Sequence, residues 1–372
     1  MKILHLYKTY YPETFGGCEK VIQNLAEATS RLGCENILLT TTRSKNASSG
    51  KMGSLQVERF PETFSAASCP VSISLWRAFK YFSEQTDVIH YHFPWPFSDF
   101  LQLIRAVKKP TIVTYQSDIV RQKFLKIFYQ PIMHAFLKRV DCIVTTSKNY
   151  EDTSPVLSKF SEKCVQIPNG VDEHEYSPIN TERLSFWKNT VGENFLLFVG
   201  VLRYYKGLQF LLDAVANTNI PVVIAGSGPM EMELKQQAER LQLSNVKFLG
   251  FISDEDKNAL YSLCKIVVMP SHLRSEAFGI SLVEGALFGK PLISTEMGTG
   301  TSFINKNNVT GYTVPPADVS ALRTAIQKLF ENEALCAEMG NAARARYENL
   351  FTAEKMGQKY FEVYCGVQGD PD

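Results

Sequence analysis

Short β-branched runs alternate with longer amphipathic segments along nearly the whole chain, and few folds tolerate that alternation. In the first half the apolar runs are KILHLY (2–7), NILLTT (36–41), DVIHYH (87–92), TIVTYQ (111–116), CIVTTS (142–147) and CVQIP (164–168), with helical periodicity over 17–32 and 120–139. A polar stretch, EHEYSPINTERLSFWKNT (173–190), carries Pro178 and no strand pattern, and is read as the linker. The alternation then restarts: FLLFVG (195–200), PVVIAG (221–226), VKFLG (246–250), KIVVMP (265–270) and PLIST (291–295). Buried strands separated by helices predict mostly parallel sheets covered on both faces. The pattern therefore predicts an α/β protein of two doubly wound units, residues 1–170 and 171–351, followed by a tail helix beginning near 352. Such sheets bind ligands at the carboxyl ends of their strands, so a cleft between the units is the expected site.

Composition removes several classes of function. Thirty-nine Lys and Arg balance 38 Asp and Glu, a net charge of +1, which leaves no molecule-wide field to attract nucleic acid. The eight cysteines are scattered without a C-x-x-C pair, and no histidines cluster along the chain. No metal site is expected on that basis, and the thiols are expected to be reduced, as in a cytoplasmic protein. No run of about 18 apolar residues suggests a membrane span.

Four stretches could carry chemistry. Gly16-Gly17 follows the first strand and opens a helix; the pair either makes a tight turn or lets backbone amides meet an anion. It does not read G-x-G-x-x-G, which argues against a nicotinamide cofactor. In FVGVLRYYKG, Arg203 and Lys206 follow a strand, either as a solvated loop or as cations for a diphosphate. The turn AGSGP brings Gly226, to make a bend or to contact ligand through its backbone. In RSEAFGISLVEGALFGKP, Glu276 stands before a helix expected to start near Gly279, and Glu284 lies inside it among Leu282, Val283, Ala286 and Leu287. Eight helical steps would separate the acids by about 12 Å. The amides of Phe278, Gly279 and Ile280 between them would be helix N-terminal donors open to phosphate or sugar hydroxyls. An acid in such apolar surroundings needs a partner.

Together these residues, with IPNGVD (167–172), VKFLGFISDEDKNALYSLCKIVVMPS (246–271) and NNVTGYTVPPAD (307–318), resemble the family 4 glycosyltransferases over nearly the whole chain. The resemblance implies a GT-B fold, two Rossmann-like domains facing across a cleft, with the last helix (about 352–372) returning to the N-terminal, acceptor-binding domain. It implies a retaining enzyme that takes its sugar from a nucleotide diphospho-sugar held by the second domain, and needs no cofactor or metal. Glu284 would then accept hydrogen bonds from the ribose, and Glu276 from the transferred sugar. Lys206 would neutralise the departing diphosphate, helped by the Gly16-Gly17 amides. The base would rest on backbone and apolar groups around Gly250 to Ile252, including Phe251. Two positions depart from the pattern. Val201 replaces the phosphate-binding arginine, and Arg203, on the same side of an extended chain, is read as its substitute. Gln116 stands where many relatives have a histidine that contacts the donor sugar; it can hydrogen-bond but carries no proton at neutral pH.

Residues 121–139 interleave Arg121, Lys123, Lys126, Lys138 and Arg139 with Phe124, Leu125, Phe128 and Phe136. The segment is either a helix covering the first sheet or one lying on an anionic membrane. It resembles bacterial members that build O-antigen and other lipopolysaccharide chains, mannosyltransferases especially. That likeness implies GDP-mannose as donor, an undecaprenyl diphosphate-linked saccharide as acceptor, and a peripheral position on the inner face of the cytoplasmic membrane. A sugar-nucleotide epimerase of the same fold and a degenerate glycan-binding unit are the alternatives.

Overall fold

The computed structural model describes residues 1–66, 68–105, 108–118, 123–176 and 178–369. The chain divides into two compact units, Met1–Gly170 with Ala353–Asp372, and Val171–Thr352.

Unit 1 is built on β1 (Lys2–Leu6), β2 (Glu35–Thr42), β3 (Ser48–Met52), β4 (Leu55–Pro61), β7 (Val88–Phe93), β8 (Thr111–Tyr115), β9 (Cys142–Thr145) and β10 (Cys164–Gln166); β5 (Phe64–Ala66) and β6 (Cys69–Val71) form a separate antiparallel hairpin. The eight strands lie in the order β10-β9-β8-β7-β1-β2-β4-β3, parallel except that β3 runs antiparallel to β4. Strand order reverses between β1 and β7, which marks the switch point of a doubly wound sheet. The sequence pattern misses β3 to β6. β3 is a mostly exposed edge strand, SSGKM, with no apolar alternation to betray it.

The last helix, Ala353–Gln368, belongs to this unit and packs on the helix Gly17–Ser30. A Cβ on Gly357 would come within 2.5 Å of the Ala28 Cβ, so glycine permits the close crossing. Its Tyr364 hydroxyl lies 2.8 Å from His90 Nδ1, and its Tyr360 hydroxyl 2.7 Å from Thr114 Oγ1, which in turn is 2.7 Å from His90 Nε2. The helix Lys123–Arg139 has a buried side and an exposed apolar side. Met133, Phe136 and Leu137 are buried, whereas Ile127 and Phe128 are 64% and 80% exposed. Arg121 and the side chains of residues 123–126 lie outside the described residues.

Histidines scattered in sequence do cluster in space. His5 on β1 and His90 and His92 on β7 are close enough to share an ion. Their nitrogens are otherwise engaged, however: His5 meets His92 at 3.1 Å and Asn36 at 3.0 Å, and His90 has the two partners above. Only His92 Nδ1 lacks a partner among the described residues. The trio is a hydrogen-bonded core network. Burial lowers His5 to about 4 against a smaller opposing pull from Asn36, and holds His90 and His92 well below the ordinary range. All three are therefore neutral in the folded chain but titrate near 6.5 when unfolded, so the unfolded chain binds more protons as pH falls below 6.5. Between pH 7.5 and 5.5 the three should cost the fold on the order of 4 kcal/mol, a loss that chemical denaturation at the two pH values will measure.

Unit 2 holds β11 (Leu196–Val199), β12 (Val222–Ala225), β13 (Val246–Gly250), β14 (Ile266–Met269), β15 (Leu292–Thr295) and β16 (Gly311–Val314), all parallel in the order β13-β12-β11-β14-β15-β16. That is the six-strand Rossmann order, with its switch point between β11 and β14. Two apolar clusters, one on each face, fill the space between sheet and helices.

The stretch 173–190 is not a linker. It forms a 3-10 turn, Glu173–Tyr176, and a helix, Thr181–Val191, inside unit 2. Asn180 caps the helix by accepting from the amides of Glu182 and Arg183. Arg183 and Trp187 Nε1 both donate to Asp256 Oδ1, at 2.6 and 2.7 Å. Burial works against ionisation of Asp256, but bonds from Trp187, Ser253 and Arg183 outweigh it and lower its pKa. Leu184, Trp187 and Val191 have helical spacing, which the polar residues between them conceal. The units instead meet in sequence at Gly170-Val171 and Thr352-Ala353.

Candidate active site

The loops that leave β11 and β14 flank the switch point of unit 2, and they carry the residues singled out above. After β11 the chain makes a tight bend at Leu202, in which the Arg203 amide donates to the Val201 carbonyl at 2.9 Å, then closes a 3-10 turn over Tyr204–Lys206. Leu202 is buried while Val201 and Arg203 are both exposed, on a bend rather than on the extended chain that the sequence suggests. Gly207, at φ +69, ends the turn; a Cβ there would lie 2.0 Å from the Pro270 carbonyl oxygen, so only glycine lets the turn close against the end of β14.

After β14, Glu276 precedes the helix Ile280–Leu287, capped by Gly279 at φ +100. The boundary is where the sequence places it. Glu276 is 8% exposed, and its Oε2 accepts from Lys206 Nζ at 2.5 Å and Ser271 Oγ at 3.2 Å. Burial alone would lower the Lys206 pKa; the Glu276 carboxylate outweighs it and raises it, keeping the ammonium charged. Two residues 70 apart in sequence thus form one ion pair. No acceptor meets the amides of Phe278, Gly279 or Ile280 among the described residues, so the helix start offers free N–H groups beside this pair.

Two further contacts hold the surrounding loops. Arg274 Nη1 donates to the carbonyls of Met297 and Gly298, both at 3.1 Å, and the Gly300 amide donates to Ala277 at 2.8 Å. The loops after β14 and β15 are thereby sutured together.

Glu284 lies inside the helix Ile280–Leu287 of the same unit. It is 4% exposed, and its carboxylate accepts from Tyr176 Oη at 2.7 Å, Lys257 Nζ at 2.9 Å and Tyr261 Oη at 2.8 Å. Burial, reinforced by Glu284, raises both tyrosines well above their ordinary pKa, so they remain neutral donors. These three partners are absent from the sequence reading. Lys257 and Tyr261 are spaced i,i+4 on the helix Asp254–Leu263, and that spacing is the one signal that could have shown them.

The AGSGP glycines have a packing duty. Gly226 has φ +133, and a Cβ on it would fall 2.0 Å from the Gly200 carbonyl oxygen; one on Gly228 would fall 2.6 Å from the Leu202 backbone. Both glycines are thus required by close approach to the backbone that follows β11. Phe251 is exposed just past β13.

In unit 1, Gly16 caps the helix Gly17–Ser30. The helix start is flanked by its own Glu19 carboxylate, which accepts from Thr14 at 2.6 Å and would stand 2.7 Å from a Cβ on Gly16. Gln116 lies just past β8, its amide donating to the Phe93 carbonyl at 3.1 Å; the side chain is 7% exposed and its Nε2 has no partner among the described residues.

Two doubly wound units, the second in full Rossmann order with a cation–carboxylate pair at its switch point, have the strand order of nucleotide-binding α/β proteins. Comparisons with known proteins show a glycosyltransferase of GT-B fold. Residues 15–175 match the Glycosyltransferase Family 4 model and residues 181–346 the Glycosyl transferases group 1 model. The chain is 46% identical to the O-antigen chain mannosyltransferase C of Escherichia coli, covering 98% of each chain. It is 48% identical to the D-rhamnosyltransferase WbpZ of Pseudomonas aeruginosa, over 95% of this chain and 93% of that one. Among solved structures, the sucrose-phosphate synthase of Thermosynechococcus elongatus superposes with a TM-score of 0.79 at 21% identity, over 98% of each chain. Anabaena HepE in complex with UDP gives 0.78 at 21% identity, over 98% of this chain and 99% of that one. The chain belongs to the family 4 glycosyltransferases.

Proposed function

We propose that this glycosyltransferase moves a hexose of manno configuration from a nucleoside diphosphate to a lipid-linked saccharide in O-antigen assembly, with retention of anomeric configuration. The single observation that carries the reading is the buried Lys206–Glu276 pair beside the free amides of Phe278, Gly279 and Ile280. Its polarity suits the reaction. A leaving diphosphate gains charge as the glycosidic bond breaks, and a preorganised cation with convergent N–H groups stabilises that change more than the ground state. Glu276 would turn its remaining acceptor positions to hydroxyls of the transferred sugar. Arg203, exposed on the same loop, would supply a second cation to the phosphates.

On this reading the departing diphosphate accepts the proton of the acceptor hydroxyl as that oxygen attacks the same face of the sugar. No protein base is then needed, and Gln116, which cannot take a proton, serves as a hydrogen-bond donor through its unpartnered Nε2. Lys206, Arg203 and the helix amides supply the positive charge that a metal would otherwise bring, so turnover is expected to persist in EDTA.

GDP-mannose is the first candidate donor, by likeness to the E. coli mannosyltransferase. GDP-linked D-rhamnose is the second, because the Pseudomonas relative transfers that sugar. D-Rhamnose is mannose without its 6-hydroxyl, so both readings ask the same site to recognise the same C2 to C4 stereochemistry. An undecaprenyl diphosphate-linked saccharide would be the acceptor. Exposed Ile127 and Phe128 with Lys138 and Arg139 on one helix favour work at an anionic membrane surface.

Calorimetric titration with GDP, UDP and ADP should show GDP binding tightest; binding of none rejects the enzyme reading. The two donors are then compared by mass spectrometry with a lipid-linked acceptor, in the presence of EDTA and of anionic or neutral vesicles. An inverted product anomer by NMR rejects retention, and turnover of donor without acceptor points to an epimerase.

A further inference from the structure

At the amino ends of β8 and β9 lies a cavity of about 250 Å³, lined by Gln102, Lys108, Lys109, Thr111, Arg139 and Asp141 of unit 1. Thr111 opens β8 and Gln116 follows its last residue, five strand steps or roughly 16 Å further on, so the cavity is separate from the carboxyl ends where sheets of this kind hold substrate. Its charges are unbalanced. Asp141 is the one acid on the wall among the described residues, and its Oδ2 accepts from the Thr111 amide at 2.7 Å and the Thr111 hydroxyl at 2.9 Å. It forms no ion pair with Lys108, Lys109 or Arg139 among the described residues. Arg139 donates to the Leu103 carbonyl at 3.5 Å, the ordinary duty of a cation near a helix C-terminus, but that bond is long and uses one of five N–H groups. The neutral member of the wall is more telling. Gln102, on the helix Pro96–Arg105, is 1% exposed, and its Oε1 accepts from the Tyr91 hydroxyl at 2.7 Å. Tyr91 is held edge-on against Phe136 with ring centres 5.2 Å apart. That bond fixes which end of the amide is oxygen and leaves Nε2 with no acceptor among the described residues, a costly state for a buried donor.

We propose that this cavity is a binding site for a phosphate monoester, held by Lys108, Lys109 and Arg139 and oriented by the Gln102 Nε2 donor. Three cations against one acid leave the wall with two positive charges in excess. A phosphate monoester carries about −1.5 to −2 charges at neutral pH and offers strong acceptor oxygens, so it answers both the charge and the free donor. A carboxylate or a phosphate diester brings a single charge. The guanidinium fork suits two phosphate oxygens at once, and the lysines act as point charges beside it. The ligand is a soluble monoester, such as a sugar phosphate, or the headgroup of phosphatidic acid; the dianionic phosphate is common to both. The site stands outside the transfer reaction and does not depend on how that reaction is read.

The test is calorimetric titration of the full chain with glycerol 3-phosphate, in the native protein and in Gln102→Glu. That substitution keeps an oxygen for Tyr91 and puts a carboxylate oxygen where the free donor stands. The variant should lose at least about tenfold in affinity, the range for a hydrogen bond to a charged group, and so should Lys108→Gln/Lys109→Gln. Monoester held by the cations of unit 2 is untouched by these changes, so the difference between proteins reports the cavity alone. If Gln102→Glu does not fold, Arg139→Gln replaces it and must show the same loss. Flotation with phosphatidylcholine vesicles separates the two sources. Stronger retention on phosphatidic acid than on phosphatidylglycerol at equal surface charge, lost in the variant, assigns the lipid headgroup. A tenfold difference in the titration without that preference assigns a soluble monoester. Native and variant proteins that behave alike in both measurements overturn the site.

Discussion

Lys206→Met will lower transfer by about two to three orders of magnitude in kcat, the range measured when one preorganised donor to a developing negative charge is removed. The affinity for donor should change less, because in the proposed reaction the ammonium would interact most strongly with the diphosphate as it departs. The same substitution will destabilise unit 2, for a separate reason. In the free protein Lys206 is the charged partner of Glu276, and both side chains are about nine-tenths buried. Removing one member of a buried pair leaves the other uncompensated, at a cost of roughly 3–5 kcal/mol. Adding Glu276→Gln should recover much of that stability without recovering activity. Steady-state kinetics and urea denaturation on the two single variants and the double variant measure both effects. A double variant no more stable than Lys206→Met would show that the pair is not coupled, and unaltered kcat in Lys206→Met would reject its place in the reaction.

Gly226→Ala is expected to cost far more stability than a single methyl group ordinarily does. The added Cβ would stand 2.0 Å from the Gly200 carbonyl oxygen, and φ at this position is +133. The obstacle is backbone, so no side-chain rotation relieves it; the ends of β11 and β12 must separate or residue 226 must change conformation. A loss above about 4 kcal/mol, or failure to accumulate as soluble protein, is the expected result. Because β11 leads into the loop that carries Arg203 and Lys206, any folded remainder should also bind nucleotide poorly. Gly366→Ala is the matched control. Gly366 lies in the last helix with nothing within 4 Å of its added Cβ, so alanine there should stabilise by up to about 1 kcal/mol. Soluble yield and denaturation midpoints of the two variants decide the matter; a Gly226→Ala protein of native stability would show that the strand ends are less tightly apposed.

Much of this architecture is legible without coordinates. Most parallel strands of both sheets announce themselves as short apolar runs, because a strand covered on both faces is mostly apolar; β4 and β16 do not. Glu276 before the helix and Glu284 within it are readable from Gly279, which marks where the chain must leave a helix-compatible conformation. The segments that escape are those whose stabilisation is not local. β3 is polar because it is an edge, and the helix Thr181–Val191 is polar because it buries only a narrow stripe around Trp187. The notion of 173–190 as a linker fails on that stripe, since a linker has no reason to place Trp187 against Asp256.

The sequence by itself determined the α/β class, the doubly wound pattern and the identity of the acids and cations, since periodicity and residue type are local properties that survive in a linear string. Tertiary structure alone decided the partnerships: Lys206 with Glu276 across 70 residues, Glu284 with Tyr176, Lys257 and Tyr261, and three distant histidines with each other. The reason is that a buried polar group must find its complement wherever the strand order brings one within hydrogen-bonding reach, and crossover order in a parallel sheet places far-separated residues side by side.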